Sequence, residues 1–207
     1  MKYKTYLLTA LILGVGVGNT FGQVIKFTGF GGYTVQDKVY GYYGDVIIRD
    51  GASYAGVLSF EKSRNLSIDL TYNRQQTTFS VKDYYTPTNT QDIKGSVGYI
   101  MIGASHSPDF TAKVAPYGGF MLGTAIFSPK EKYSETWKFA VGGKLGVIVH
   151  ASERVGIVLQ TQLMVPVQSV GFMVGCGGGG CGSGASTSSS ATQLGFMGGL
   201  EIKLSEQ

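Results

Sequence analysis

Few residues of the chain have side chains suited to chemistry, and the closest grouping of them is His150, Ser152 and Glu153. A histidine beside a hydroxyl can act as a base and activate that oxygen as a nucleophile. The second histidine, His106, is followed by Ser107, and two isolated histidines give no metal-ligand spacing. Because both histidines fall at short predicted turns, the sequence favours water-exposed side chains at these positions. We predict no catalytic residue, no metal site and no cofactor.

The two cysteines stand in a segment rich in glycine and serine. Cys176 and Cys181 are separated by four glycines, which in an exported protein predicts a disulfide. The closed loop is small, so we expect a stabilisation of about 1–2 kcal/mol, below the ~3 kcal/mol of a 15-residue loop. Free thiols are the alternative. The glycine run lacks the lysine of a phosphate-binding loop, which argues against nucleotide binding. We predict a flexible outer loop over 172–190 whose tip carries the disulfide.

The first 22 residues have the pattern of an export signal. Lys2 and Lys4 give a positive start, and the apolar stretch 6–17 is too short to span a membrane as a helix. Thr20 and Gly22 supply the small side chains that a signal peptidase requires before its cut. A buried core helix or an N-terminal anchor is the alternative. We predict a cleaved signal peptide.

The remaining residues, 23–207, are predicted to form one domain. Charged residues are only 14% of the chain, below the roughly 25% usual in soluble proteins. The net charge is +4, and two of these charges belong to the signal, so the mature chain carries about +2, which does not indicate nucleic-acid binding. Beyond the signal, no stretch approaches 18 apolar residues, which excludes membrane-spanning helices. Any crossing of a membrane must then use strands.

Polar and apolar residues alternate with period two along much of the mature chain, as they do in a half-buried β-strand. In the clearest segment, 66–73, the apolar residues lie at even positions and the polar residues at odd positions. The alternation predicts eight strands, at 24–35, 51–62, 66–80, 95–106, 112–126, 137–149, 155–168 and 193–204.

The connections between these strands alternate in length. Three are short, at 63–65, 107–111 and 151–154, and four are longer, at 36–50, 81–94, 127–136 and 169–192. Bacterial membrane barrels have short periplasmic turns and longer outer loops. The polar faces carry mainly Ser, Thr, Gln, Asn and Gly, which suits a narrow lumen packed with side chains. We therefore predict an all-β, eight-stranded antiparallel up-and-down transmembrane barrel.

Isolated charges on the polar faces are predicted to meet inside the lumen. An unpaired ion there would be costly, so opposite charges must pair. We expect a network around Lys144 with Asp69, Glu61 or Glu201. The network is interpreted as holding the barrel interior together, with a gate on a narrow ion path as the alternative.

Aromatic residues crowd the predicted outer ends of the strands. Such rings favour the headgroup layer, where one edge is apolar and the other is wet. Five tyrosines of the outer connections, namely Tyr40, Tyr42, Tyr43, Tyr84 and Tyr85, are candidate contacts for a partner.

Two strands carry motifs of glycines and aromatic residues. The stretch 115–123 has Pro-Tyr followed by spaced glycines, and 139–146 has a glycine-rich repeat. With these motifs the mature chain resembles the small outer-membrane barrels of the OmpA/OmpX type, often described as porin-like. The resemblance implies a Gram-negative outer membrane as the location. The chain departs from the family at its last strand, which ends on Leu204 and three polar residues rather than on an aromatic.

These observations favour an integral outer-membrane barrel with a structural or surface-interaction role and no catalysis. Its partners would be outer-membrane lipid and an extracellular or envelope protein bound through the loops, and we expect a monomer. A small-solute or ion channel is the first alternative. A lipid A-modifying enzyme, similar to the lipid A deacylases in its His150 and Ser152 pair, and a soluble lipocalin-like carrier are the others.

Overall fold

The computed structural model describes the chain from residue 24 to residue 205, apart from 41–43, 64, 84–90, 110, 131–134, 178–179 and 190–191. Within these bounds only the backbone is described for 38–40, 44–46, 81–83, 91, 168–177 and 180–189.

The described residues form eleven strands in one sheet. The strands are β1 (Val24–Thr34), β2 (Asp37–Tyr40), β3 (Gly44–Ile48), β4 (Gly51–Ser63), β5 (Leu66–Asp83), β6 (Gln91–His106), β7 (Val114–Pro129), β8 (Thr136–His150), β9 (Val155–Gly177), β10 (Gly180–Ser189) and β11 (Gln193–Lys203). None of the described segments is a helix long and apolar enough to cross a bilayer.

Eight of these strands close into a barrel. From β1 the antiparallel pairing passes to β4 and then through each successive strand to β9. It continues to β11, which pairs back onto β1 with Phe27 opposite Ile202. The closed antiparallel up-and-down barrel predicted from the sequence is thus confirmed. We call the end of the barrel with the three short connections the turn end, and the opposite end the loop end.

Two of the predicted long loops contain strands. In 36–50, β2 and β3 form a hairpin that pairs with the loop-end extension of β5. In 169–192, β9 continues beyond the barrel and pairs with β10. The sequence did not predict these strands, and the flexibility of 172–190 stays a prediction. Because β10 consists only of Gly, Ser, Thr, Ala and Cys, its sequence shows no apolar alternation from which a strand could be recognised.

The apolar sides of the strands face outward and the polar sides face the lumen. On β5, Leu70 is 48% exposed whereas its neighbour Asp69 is 1% exposed. The same alternation leaves Phe120 exposed by 84% and Leu159 by 62% on the outer surface. Exposed apolar side chains follow β11 from Leu194 to Leu204, which is about 34 Å of strand and about 25 Å of height at the tilt usual in such barrels. This is the height of the apolar band of a transmembrane barrel.

The lumen contains apolar side chains as well as polar ones, which the sequence did not predict. One cluster lies towards the loop end and another towards the turn end. The first consists of Ile48, Val97, Tyr99, Met101, Met121, Ala125, Ala140 and Met164. The second consists of Phe30, Ala55, Val57, Ala115, Ile148, Val158 and Met197. The interior is therefore a packed core and not a hydrated pore lined by polar groups.

Gly123 of β7 is needed where two strands approach closely. A Cβ atom at this position would overlap the carbonyl oxygen of Ile100 on β6, an atom of the backbone that cannot move aside without disturbing the sheet. By contrast, a Cβ atom on Gly31 of β1 would meet nothing within 4 Å.

We expect Gly123→Ala to destabilise the barrel by about 1–3 kcal/mol, because the added methyl group overpacks the wall. Gly31→Ala is the matched control and should leave the stability unchanged or slightly raised. The measurement is the urea midpoint of the refolded protein, followed through the fluorescence of Trp137, the only tryptophan in the chain. Equal midpoints for the two variants would contradict this account of Gly123.

Candidate functional site in the barrel lumen

Asp69 and Lys144 form an ion pair across the lumen. Asp69 lies on β5 and Lys144 on β8, and the Lys144 Nζ atom lies 2.7 Å from the Asp69 Oδ2 atom. Their side chains are 2% and 4% exposed. Ser67 donates to Asp69 Oδ1 at 3.1 Å, and Ser105 donates to Asp69 Oδ2. The carboxylate is therefore fixed by one cation and two hydroxyls, which satisfies a charge that would be costly if left alone.

A second group of charges surrounds Lys26 on β1. The Lys26 Nζ atom lies 2.6 Å from Glu61 on β4 and 3.3 Å from Glu201 on β11. These are the two strands that flank β1 in the barrel. Lys26 thus ties together the three strands at which the sheet closes.

The sequence predicted a network around Lys144 with Asp69, Glu61 or Glu201. The structure pairs Lys144 with Asp69 and places Glu61 and Glu201 on Lys26. Lys26 was missed because glycines and aliphatic residues blur the two faces of β1. It is the only charged residue in that strand, and this was the available signal.

The two charge groups line a common cavity at the turn end of the lumen. Its volume is about 30 Å³, enough for one or two water molecules. Tyr117 and Gln160 close its wall, with the Tyr117 hydroxyl donating to Gln160 at 2.7 Å. Gln160 in turn donates to Gln162 at 3.2 Å.

Towards the loop end, the lumen is filled by large side chains. Tyr99 donates to Gln193 at 2.7 Å from the opposite wall. Around this pair, Met101, Met121 and Met164 are each at most 3% exposed. Because these side chains are almost fully buried, the described residues leave no solute-sized passage through the lumen at this level.

His150 and Ser152 each contact backbone atoms at the turn end of the barrel. His150 Nδ1 lies 2.8 Å from the carbonyl oxygen of Ala112. The Ser152 hydroxyl accepts the backbone N–H of Val155 at 3.1 Å. Both groups are thus engaged with backbone atoms of the described residues. Among the described residues, no group of three or more His, Cys, Asp or Glu is placed to hold a metal ion.

The structure does not describe the side chains of the five tyrosines predicted as contacts. Tyr40 ends β2, where only its backbone is described, and Tyr42, Tyr43, Tyr84 and Tyr85 lie outside the described residues. Their role as contacts stays a prediction.

A group of polar contacts around Arg49 at the loop end was not predicted from the sequence. Arg49 Nε donates to Ser80 at 2.9 Å, and its Nη2 atom lies 3.4 Å from Asp92. Gln75 donates to the Arg49 carbonyl oxygen at 3.2 Å. These contacts hold the connection between β3 and β4 against β5 and β6.

The backbone register places the two cysteines directly opposite each other, with Cys176 on β9 and Cys181 on β10. Directly opposed residues of antiparallel strands have Cα atoms about 4.5–5.5 Å apart, a separation that a disulfide can bridge. The disulfide itself stays a prediction.

Several solved outer-membrane proteins share the fold of this chain. Neisserial surface protein A aligns with a TM-score of 0.56 and 15% identity, over 86% of this chain and 97% of that one. The outer membrane protein OprG from Pseudomonas aeruginosa aligns with a TM-score of 0.59 and 11% identity, over 89% and 98%. Outer membrane protein AlkL in lipid bilayers aligns with a TM-score of 0.53 and 12% identity, over 92% and 95%. The fold is that of a small outer-membrane β-barrel.

At these identities the likeness shows the fold of the outer-membrane barrel and nothing about its partners. No protein-family model and no curated protein matches the sequence.

Removing one member of the Asp69–Lys144 pair should destabilise the barrel strongly. We expect Asp69→Asn or Lys144→Met alone to cost about 3–5 kcal/mol, because each leaves a buried charge without its partner. The double variant should recover much of this loss. The measurement is a double-mutant cycle on the free energy of unfolding in urea. Additive effects of the two substitutions would show that the ion pair contributes nothing to the fold.

The disulfide prediction is tested by maleimide–polyethylene glycol labelling of the folded, exported protein. We expect Cys176 and Cys181 to resist labelling until a reductant is added, because a disulfide blocks both thiols. The control is Cys176→Ser, which should label once without reductant. Double labelling of the untreated protein would rule out the disulfide.

Proposed function

We propose that the protein is an integral barrel of the Gram-negative outer membrane, exported by a cleaved signal peptide at 1–22, with a structural or surface-interaction role and no catalysis. The observation that carries this proposal is the inversion of its surface. Leu70 and Phe120 are exposed on the outer surface, while Asp69 and Lys144 are buried in the lumen. In water this arrangement would be unfavourable, whereas in hydrocarbon the outer side chains are solvated and the inner charges are paired.

The same inversion argues against a soluble lipocalin-like carrier. Such a carrier would need its apolar side chains around an enclosed ligand cavity. Here the apolar side chains cover the outside, and the cavity at the charge cluster is only about 30 Å³.

A packed lumen supports the structural role over a channel. An eight-stranded barrel has an interior that side chains can just fill. Tyr99 and Met101, near the loop end, are 2% and 1% exposed, so neither borders a water-filled path. The role at the surface then falls to the connections at the loop end, which are proposed to face outward, with the three short turns in the periplasm.

Absence of catalysis is part of the proposal. It is supported by His150, whose Nδ1 atom contacts the Ala112 carbonyl oxygen in the connection between β6 and β7, and by Ser152, which accepts the N–H of Val155. His150→Ala should leave the lipid A profile of an overexpressing strain unchanged.

The location is tested by membrane fractionation combined with gel migration before and after boiling. We expect the protein in the outer-membrane fraction, with a band that shifts on boiling because the closed barrel resists unfolding by detergent. Recovery in the aqueous fraction without a shift would reject the membrane barrel.

The same refolded protein should give no steady conductance in a planar lipid bilayer, because Tyr99 and the methionines around it fill the lumen. A large-pore barrel measured in the same bilayer is the positive control. Stable unitary currents would favour the channel alternative over the structural role.

A further inference from the structure

Cationic side chains gather on one side of the outer surface, at the loop end of β5–β7. Arg74, Lys94 and Lys130 are all exposed residues of this side. On β5 and β6, the outward position next to Arg74 towards the turn end is Tyr72, which is 43% exposed and pairs with Ile100, itself 44% exposed. The cations therefore begin where the apolar band of the barrel stops.

The three cations converge on one region. Arg74 donates through Nη2 to Ser96 on β6 at 3.1 Å. Ser96 is two residues, about 6.7 Å of strand, from Lys94. Lys130 lies across from Lys94, since its backbone N–H donates to the Lys94 carbonyl oxygen at 2.9 Å. We call Arg74, Lys94 and Lys130 the cationic patch.

The pairing of Lys94 with Lys130 is unfavourable in itself. Like charges on directly opposed residues of neighbouring strands destabilise a sheet. In the described part of the chain, two carboxylates lie beside the patch: Asp92 pairs with Arg49 at 3.4 Å, and Glu135 accepts from the Ser128 hydroxyl at 2.8 Å. Neither forms a salt bridge with Lys94 or Lys130, so a bound anion would relieve the repulsion between the two lysines.

The patch is confined to one side of the barrel. At the loop end of β1 and β4 the outward side chains are Tyr33 and Tyr54, exposed by 49% and 46%, and the described cation beyond them is Arg49, which is paired with Asp92 at 3.4 Å. Aromatic rings suit any headgroup layer, whereas clustered Lys and Arg attract anionic headgroups in particular.

We infer that the cationic patch binds the phosphate groups of a phosphorylated lipid in the outer leaflet. This inference rests on the proposed location in the outer membrane, because it requires the apolar band to be immersed in acyl chains. The lipid would lay its chains against the outward faces of β5–β7, near Ile100, and bring its phosphates up to Arg74 and the two lysines. Arg74 suits a phosphate because its planar guanidinium can donate two parallel hydrogen bonds, and the lysines add mobile charge.

The test uses the refolded full-length mature chain in phosphatidylcholine vesicles that contain lipid A with both phosphates, or the same lipid A after enzymatic dephosphorylation. Trp137 on β8 is in the same row of paired residues as Arg74 on β5. The register connects them across neighbouring strands, from Trp137 to Ile126, then to Gly98 and to Arg74. Brominated acyl chains on lipid A should therefore quench its fluorescence when the site is occupied. We expect stronger quenching by the phosphorylated form at equal lipid content.

The double variant Lys94→Gln, Lys130→Gln should weaken this binding about 30-fold, given about fivefold for each lysine near an anionic membrane surface. The matched control is Lys62→Gln, Lys113→Gln, which removes two exposed lysines at the turn end and should leave binding unchanged. The boiling-dependent band shift is measured for every variant, so that a loss of binding is read only on folded barrels.

Equal quenching by the two forms of lipid A, or equal effects of the two double variants, would overturn the inference while leaving the outer-membrane barrel intact. Competition by inorganic phosphate at the concentration of the lipid phosphate would also overturn it, because the patch would then bind a soluble anion. A chain that inserts in no vesicle and shows no band shift would reject the proposed function first, and this inference with it.

Discussion

The structure depends on the pairing of β1 with β11. In hydrocarbon, a strand edge has no water to satisfy its N–H and C=O groups, and each unsatisfied group costs several kcal/mol. The ladder that sets Phe27 opposite Ile202 removes the last open edge of the eight-stranded wall. Closure then decides the rest, because every strand acquires one face towards lipid and one towards a lumen only wide enough for side chains.

The buried charges follow from that closure. Once the wall is complete, Lys26 and Lys144 cannot reach bulk water and must find carboxylates on other strands. Lys26 finds them on both strands beside the closing seam, and Lys144 finds Asp69 across the lumen. A chain with the right alternation but one of these charges misplaced would have to bury an unpaired ion. The pairs therefore favour one register of the closed sheet over its neighbours.

Much of this fold could be predicted from the sequence, because period-two alternation in β5 and β11 marks two faces without knowledge of their neighbours. Partners across the lumen could not, since they depend on the stagger of the barrel. This is why the sequence left Asp69, Glu61 and Glu201 as alternative partners of Lys144 and did not reveal Lys26. Inward residues such as Met164 were missed for a different reason. An apolar side chain is expected on the lipid face, so its type gives no sign that it points into the lumen. The strand β10 carries too few apolar residues to show any face at all.

The length of β9 has a consequence of its own. It runs 23 residues without a break, and from Val167 onward its only described neighbour on the side of β11 is β10. Ten further residues, to Gly177, correspond to about 33 Å of extended chain, as much as the hydrocarbon core of a bilayer is thick. One strand of the barrel wall thus continues beyond the barrel and forms a hairpin with β10. On this side of the barrel, a large molecule therefore meets the backbone of the β9–β10 hairpin before it meets the loop ends of β8 and β11.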